Sequence, residues 1–410
     1  MTPVRAVSSK PPTILFVHSG QDWVRGSERV LLDLAGHIPS DRFQSVAWCD
    51  SEVLRNACRS AGVALVTDPF PGPAARPFWR VEREKLRQAK LVIARTGARL
   101  LHVNSLDCLP WAIRAARASR IGVVAHLHLP TTSAERLWSG VHQADVIIGV
   151  SRYSLEWAES DGLPRSTTRI IYDAVFPERL ERGSAVDLRR QLGVSPEAFV
   201  ATTVGSLIPR KDIETVIRAV QLAAQRNVPI HLLVLGTGED DLRLHELAGS
   251  LGLSERVHFL GNREDVGAIL RDATQTLVSA AREETLGLNV IEAGYFGLPC
   301  VVSDIPPHRE IVARPPTGLC FSVGDAEGLA AHLTRLHAEP VLREQLGGLA
   351  RIEVRRRFMP DRFIDEFTNL YDEVLTLRRP RLGWLGGVRL PGSYWRFGLK
   401  RMLRAGEKTS

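Results

Sequence analysis

Seven residues separate Glu284 from Glu292 in the stretch ETLGLNVIE, and Gly287 lies between them. A glycine lets the backbone approach a ligand closely. A helix is expected to start near Leu288, and a helix N-terminus offers unpaired N–H groups and partial positive charge, which suits a phosphate. Glu292 would lie about one turn inside that helix, where its carboxylate could accept hydrogen bonds from sugar or ribose hydroxyls. The same acids would also suit the first turn of a solvent-facing helix. Glu283 stands beside Glu284 and competes for its position. His128 ends the apolar run GVVAHLH, and His126, two residues back, points to the same face. His18 ends another run, TILFVH. A histidine at the C-terminal end of a strand faces the ligand crevice of an open α/β sheet, or else it is a satisfied core or rim group. Asn104 and Ser105 follow a third strand at the same edge. They read first as turn residues, with an acceptor pocket as the alternative.

The elements that must position these groups alternate. Short apolar runs rich in β-branched residues read as buried parallel strands, and stretches of 3.6-residue spacing read as helices. Strands are expected at Thr13 to His18, Gln44 to Trp48, Ala64 to Thr67, Leu91 to Arg95, Leu100 to Asn104, Gly122 to His128, Asp145 to Val150 and Thr168 to Tyr172. A polar segment, Asp173 to Glu197, reads as a link. A second series follows, with strands at Phe199 to Ser206, Ile230 to Leu235, Val257 to Leu260, Gln275 to Ser279 and Pro299 to Ser303. Helices fall between them, and further helices span Ala326 to Ala338, Val341 to Phe358 and Asp361 to Leu377. The expected class is α/β, with two Rossmann-like doubly wound domains. They span residues 13–180 and 190–358, after a flexible N-terminus at 1–12. The helix 361–377 is expected to pack back on the first domain.

Five segments between residues 199 and 312 carry a family resemblance in the right order. They are VGSLIPRK ending at Lys211, LGTGE from Leu235, RVHFLG from Arg256, ETLGLNVIE running on into AGYFGLPCVV, and SD leading to EIV at Glu310 to Val312. This half resembles the donor-binding domain of the family 4 glycosyltransferases of the GT-B fold. More loosely, Gly26 to Val30, Ala144 to Ser151 and Ile171 to Val175 resemble the other half, so that residues 13–377 are covered. The resemblance implies two domains facing a central cleft. It implies a retaining enzyme that moves a sugar from a nucleotide-sugar donor to a glycan or lipid-linked acceptor, in envelope polysaccharide or glycoconjugate synthesis. No cofactor and no metal are expected.

The resemblance also implies roles. Glu292 binds the ribose, Glu284 holds the donor sugar, and Lys211 neutralises the diphosphate leaving group. The backbone of Leu286, Gly287 and Leu288, with Gly26 from the other domain, cradles the diphosphate. A histidine near His128 contacts the donor sugar, and His126 is the alternative. The catalytic set is thus Glu284, Lys211 and His128. The chain departs from the family at two places. Ser206 stands where an arginine usually pairs with the lysine, with Arg210 as the candidate substitute in the donor site. Arg25 stands where a first glycine is common.

The 410 residues carry a formal charge of +7, but residues 378–410 hold nine basic residues against the single acid Glu407. The basicity therefore belongs to the tail. Aromatic and apolar residues, including Trp384, Tyr394, Trp395 and Phe397, interleave with it. A basic aromatic tail suits an anionic membrane surface, with a solvated tail as the alternative. The body has no basic excess and no nucleic-acid motif, so no nucleic acid is expected. Five scattered cysteines without C-x-x-C spacing fit a reducing cytoplasm. No apolar leader or long apolar run is seen. The expected location is cytoplasmic, peripheral on the inner face of the membrane. Two rivals accompany this reading. One is a nucleotide-sugar epimerase of similar fold. The other is a non-catalytic, membrane-attached nucleotide-sugar-binding protein, which Ser206 favours.

Overall fold

The computed structural model describes residues 10–20, 24, 26–313 and 316–377. The chain divides into two compact units, Met1–Ile171 with Phe363–Ser410, and Tyr172–Arg362. The first crossing thus falls at Ile171, before the expected end of the first domain. The expected link carries two short helices, Pro177–Leu180 and Leu188–Gln191. Ala185, Leu188 and Val194 bury against Val200 and Ile269, which fixes this segment to the second unit.

The first unit holds a seven-stranded sheet, and every pairing in it is parallel. Its strands are β1 (Thr13–His18), β2 (Gln44–Cys49), β3 (Ala64–Leu65), β4 (Ala98–Val103), β5 (Gly122–Leu127), β6 (Val146–Gly149) and β7 (Thr168–Ile170), in the order β3-β2-β1-β4-β5-β6-β7. Side chains alternate between the faces. Leu15, Val17, Leu101, Val103, Val123 and Ala125 join one core with Trp48 and Trp111. On the opposite face Phe16 stacks near His102, and the helix Pro360–Thr376 brings Phe367 and Tyr371 against the same imidazole. The phenol oxygen of Tyr371 lies 2.6 Å from His102 Nδ1. Burial lowers the pKa of His102 to about 3, so it stays neutral.

The second unit holds a six-stranded parallel sheet of β8 (Phe199–Val204), β9 (Ile230–Leu235), β10 (Val257–Gly261), β11 (Thr276–Ser279), β12 (Cys300–Ser303) and β13 (Gly318–Phe321), in the order β10-β9-β8-β11-β12-β13. Alternation again serves two faces. Ala201, Leu232 and Val234 enter one core, and Val200, Leu233 and Leu235 the other.

One expected strand is a helix. Leu91 to Arg95 forms the end of the helix Arg83–Thr96, which buries Ala89, Val92 and Ile93 and stops at Gly97 in the left-handed region. A run of four apolar residues, Leu91 to Ala94, cannot separate a buried strand from a buried helical face; the residues upstream carry the helical period. The strand β13 and the helix Pro306–Val312 were not expected from the sequence. Among the described residues no helix is long and apolar enough to cross a membrane. The expectations for Arg25 and for the tail at 378–410 lie outside the described residues.

Candidate active site

In each sheet the strand order reverses once, between β1 and β4 and between β8 and β11. Loops leaving the C-terminal ends of strands diverge at such a point and open a crevice. The polar residues singled out from the sequence collect at both.

In the second unit, backbone hydrogen bonds hold the loop after β8 against the loop after β9. Gly205 N donates to Leu235 O at 2.9 Å and Leu207 N to Thr237 O at 3.1 Å. Gly236, at φ 130°, sits so close that a Cβ would lie 1.9 Å from Gly205 O. Only glycine combines that conformation with that approach. The fixed loop continues through the turn Pro209–Lys211 and presents Lys211 beside the loop after β11, where its ammonium forms an ion pair with Glu284. Both side chains are largely buried, about 15% exposed. Burial raises the pKa of the Glu284 carboxyl, but the Lys211 charge, the Thr285 N–H at 3.0 Å and the Arg210 charge outweigh it, so the net shift is downward.

Glu283 is exposed and Glu284 is not, so of the two neighbours Glu284 is the one facing Lys211. Arg210 is exposed, with its guanidinium 3.4 Å from Glu283 O. Ser206 is half-buried in the same loop.

Gly287 caps the helix Leu288–Tyr295 at φ 100°, a left-handed conformation that favours glycine. Its backbone packs on His308, whose ring carbon would lie 3.4 Å from an added Cβ. The His308 imidazole is bonded to Ser303 and Ser279 at 3.1 and 3.3 Å, and burial lowers its pKa to about 4. It is a neutral wedge that sets the entry of the helix. Sequence reasoning passed it over, because nothing in the local spacing links it to Gly287. Leu286 is buried and Leu288 half-buried on either side. Glu292 sits one turn on, 3.1 Å from Arg179, a second partner the sequence reading did not name.

In the first unit, His18 Nε2 lies 3.0 Å from Glu28 Oε1, and both side chains are buried. Asn104 Nδ2 is 3.1 Å from His18 Nδ1 and 3.1 Å from Ser27 O, while Ser105 Oγ is 3.0 Å from His18 Nδ1. His128 Nε2 stands 2.7 Å from Asn104 Oδ1. Asn104 and Ser105, read first as turn residues, are buried members of this network. His126 is 2% exposed and packs on Phe367 and His102, whereas His128 is half-buried at the sheet edge. Burial and the neighbouring histidines lower the pKa of both. Gly26 begins the helix Gly26–His37 with open space beside its α-carbon.

Comparison with known proteins places this geometry. Residues 186–352 match the family described as glycosyl transferases group 1, and residues 24–179 match Glycosyltransferase Family 4. The chain is 24% identical over 299 residues to N-acetyl-alpha-D-glucosaminyl L-malate synthase of Bacillus anthracis, covering 69% of this chain and 77% of that one. It is 31% identical over 186 residues to the lipopolysaccharide core biosynthesis glycosyltransferase LpsE of Rhizobium meliloti, covering 45% of this chain and 53% of that one. In fold it resembles Anabaena HepE, solved in complex with UDP, at a TM-score of 0.75 and 20% identity over 88% of this chain and all of that one. The epimerase alternative is set aside by these matches, and the chain belongs to the family 4 glycosyltransferases of the GT-B fold, enzymes of polysaccharide and glycoconjugate biosynthesis.

Proposed function

We propose that this enzyme takes its sugar from a nucleotide-sugar donor and transfers it with retention of anomeric configuration. The observation that carries the reading is the Lys211–Glu284 pair at the switch point of the second sheet, next to the Gly287 helix start. An ammonium held beside a helix N-terminus is a ready site for a diphosphate. The bond from the anomeric carbon to the diphosphate breaks, and Lys211 stabilises the charge on the departing oxygen. The acceptor hydroxyl attacks on the same face, forms the new glycosidic bond and gives its proton to the leaving diphosphate. Glu284, which holds the Lys211 ammonium in place, also holds sugar hydroxyls, and Glu292 binds the ribose. The backbone of Leu286 to Leu288 receives the diphosphate. Ser206 leaves that end with one positive charge fewer than the family pattern, and Arg210 supplies a nearby one. His128 contacts the donor sugar. Lys211 and the helix N-terminus supply the charge a metal would otherwise bring, so no cofactor is required.

Anabaena HepE has been solved with UDP-glucose, which makes a UDP-sugar the first donor to test. A binding screen across UDP-, GDP- and ADP-sugars should show one base preferred. Transfer from that donor should persist in excess chelator and give a product of unchanged anomeric configuration. An inverted product, or activity abolished by chelator and restored by a divalent cation, would refute the corresponding part of the reading.

The acceptor is proposed to be a glycan or a lipid-linked intermediate, met at the cytoplasmic face of the membrane with help from the basic residues of 378–410. Deleting 378–410 should reduce binding to anionic vesicles and leave the thermal unfolding of the remainder unchanged. Equal vesicle binding by the shortened chain would remove the membrane role.

A further inference from the structure

The polar network at the end of β1, β4 and β5 orients the amide of Asn104. Ser27 O can only accept, so the group of Asn104 facing it at 3.1 Å is the amide Nδ2. Glu28 Oε1, as a carboxylate oxygen, accepts from a proton on His18 Nε2, 3.0 Å away. Asn104 Nδ2 and Ser105 Oγ both face His18 Nδ1, at 3.1 and 3.0 Å, and the second hydrogen of the Asn104 amide can donate to it. Two independent anchors therefore orient Asn104 the same way. Its Oδ1 is left pointing at His128 Nε2, at 2.7 Å.

We propose that Asn104 is a positioning residue that fixes His128 as the Nε2–H tautomer, so that His128 presents Nδ1 as a neutral hydrogen-bond acceptor. The chain of command runs from buried Glu28, His18 and Asn104 to the half-buried His128. Gly20 covers its start: a Cβ there would lie 2.7 Å from His18 Nε2 and 3.1 Å from Glu28 Oε1, so the backbone shields the pair from water. Burial and the adjacent His126 and His18 disfavour charge on His128. The chemistry this selects is a hydrogen-bond donor, such as a sugar O–H, and it disfavours an anion or a group that can only accept at that point. The identity of the hydroxyl rests on the donor contact proposed above; the tautomer does not.

The test is a long-range 1H–15N correlation of the imidazoles in the full chain at neutral pH, with His128 assigned by its loss in His128→Gln. In the wild type, Nδ1 is expected at the unprotonated, pyridine-like shift and Nε2 at the protonated, pyrrole-like one. In Asn104→Leu the acceptor facing Nε2 is gone, so the proton should redistribute and both nitrogens should move toward the averaged range between the two shifts. A proton on Nδ1 in the wild type overturns the proposal, as does a folded Asn104→Leu variant with the wild-type pattern. The wild-type measurement decides the matter even if that variant does not fold. If the tautomer is as stated but His128→Gln transfers sugar at the wild-type rate, the donor contact of His128 falls and the tautomer assignment stands.

Discussion

Lys211→Ala should lower kcat for sugar transfer by about 10²–10³-fold, the loss typical of removing one preorganised group that stabilises developing charge. The reason lies in where Lys211 is held. Its loop is locked by the Gly205–Gly236 backbone contact, so the ammonium is placed before the donor arrives. The substitution has a second consequence. Glu284 loses the charge that offsets its burial, so its carboxyl pKa should rise. A group whose folded pKa is depressed contributes stability above its unfolded pKa and loses it as pH falls through the folded value. The variant should therefore be less stable at neutral pH and show a weaker loss of stability on acidification. Steady-state kinetics and denaturant unfolding at two pH values check both parts. Lys211→Arg keeps the charge and separates it from shape. An unchanged kcat in a folded Lys211→Ala protein would remove Lys211 from the chemistry.

Glu292→Ala should weaken nucleotide binding by about 1.5–3 kcal/mol, or roughly ten- to a hundredfold, the range for hydrogen bonds to a charged group. Glu292 is only partly buried and stands one turn into the helix that Gly287 caps. Its contact with Arg179 at 3.1 Å offers a structural explanation for the same residue. Arg179→Ala discriminates between the two. A ribose ligand predicts that Glu292→Ala loses affinity with little change in stability, and that Arg179→Ala loses less. A purely structural pair predicts similar destabilisation in both and unchanged affinity once each is folded. Calorimetric titration with the preferred nucleoside diphosphate, alongside thermal unfolding, gives the answer.

Strands β1, β9 and β12 were legible because short β-branched runs bounded by polar turns have one good home, a buried parallel sheet. The helix Pro360–Thr376 was legible from its apolar period, which Phe363, Phe367, Tyr371 and Val374 now fill as buried residues. Leu91 to Arg95 was misread because a run that short is apolar on every face whichever element it forms. The strand β13 went unseen because GLCF is four residues of mixed character, made a strand by pairing with β12. A local pattern cannot report a partner that is distant in sequence.

The same limit divides the site. The sequence by itself determined the class of fold, the glycosyltransferase family and the candidates Glu284, Gly287, Glu292, Lys211 and His128, because a helix start, a glycine and a strand end are local features. Tertiary structure alone decided that Glu284 rather than Glu283 meets Lys211 across 73 positions of chain. It also decided that His308 sets the Gly287 turn and that Asn104 reaches back to His18 and forward to His128. Hydrogen-bond partnership depends on positions within a few tenths of an ångström, and those are fixed only when the strands β1, β4 and β5 lie side by side.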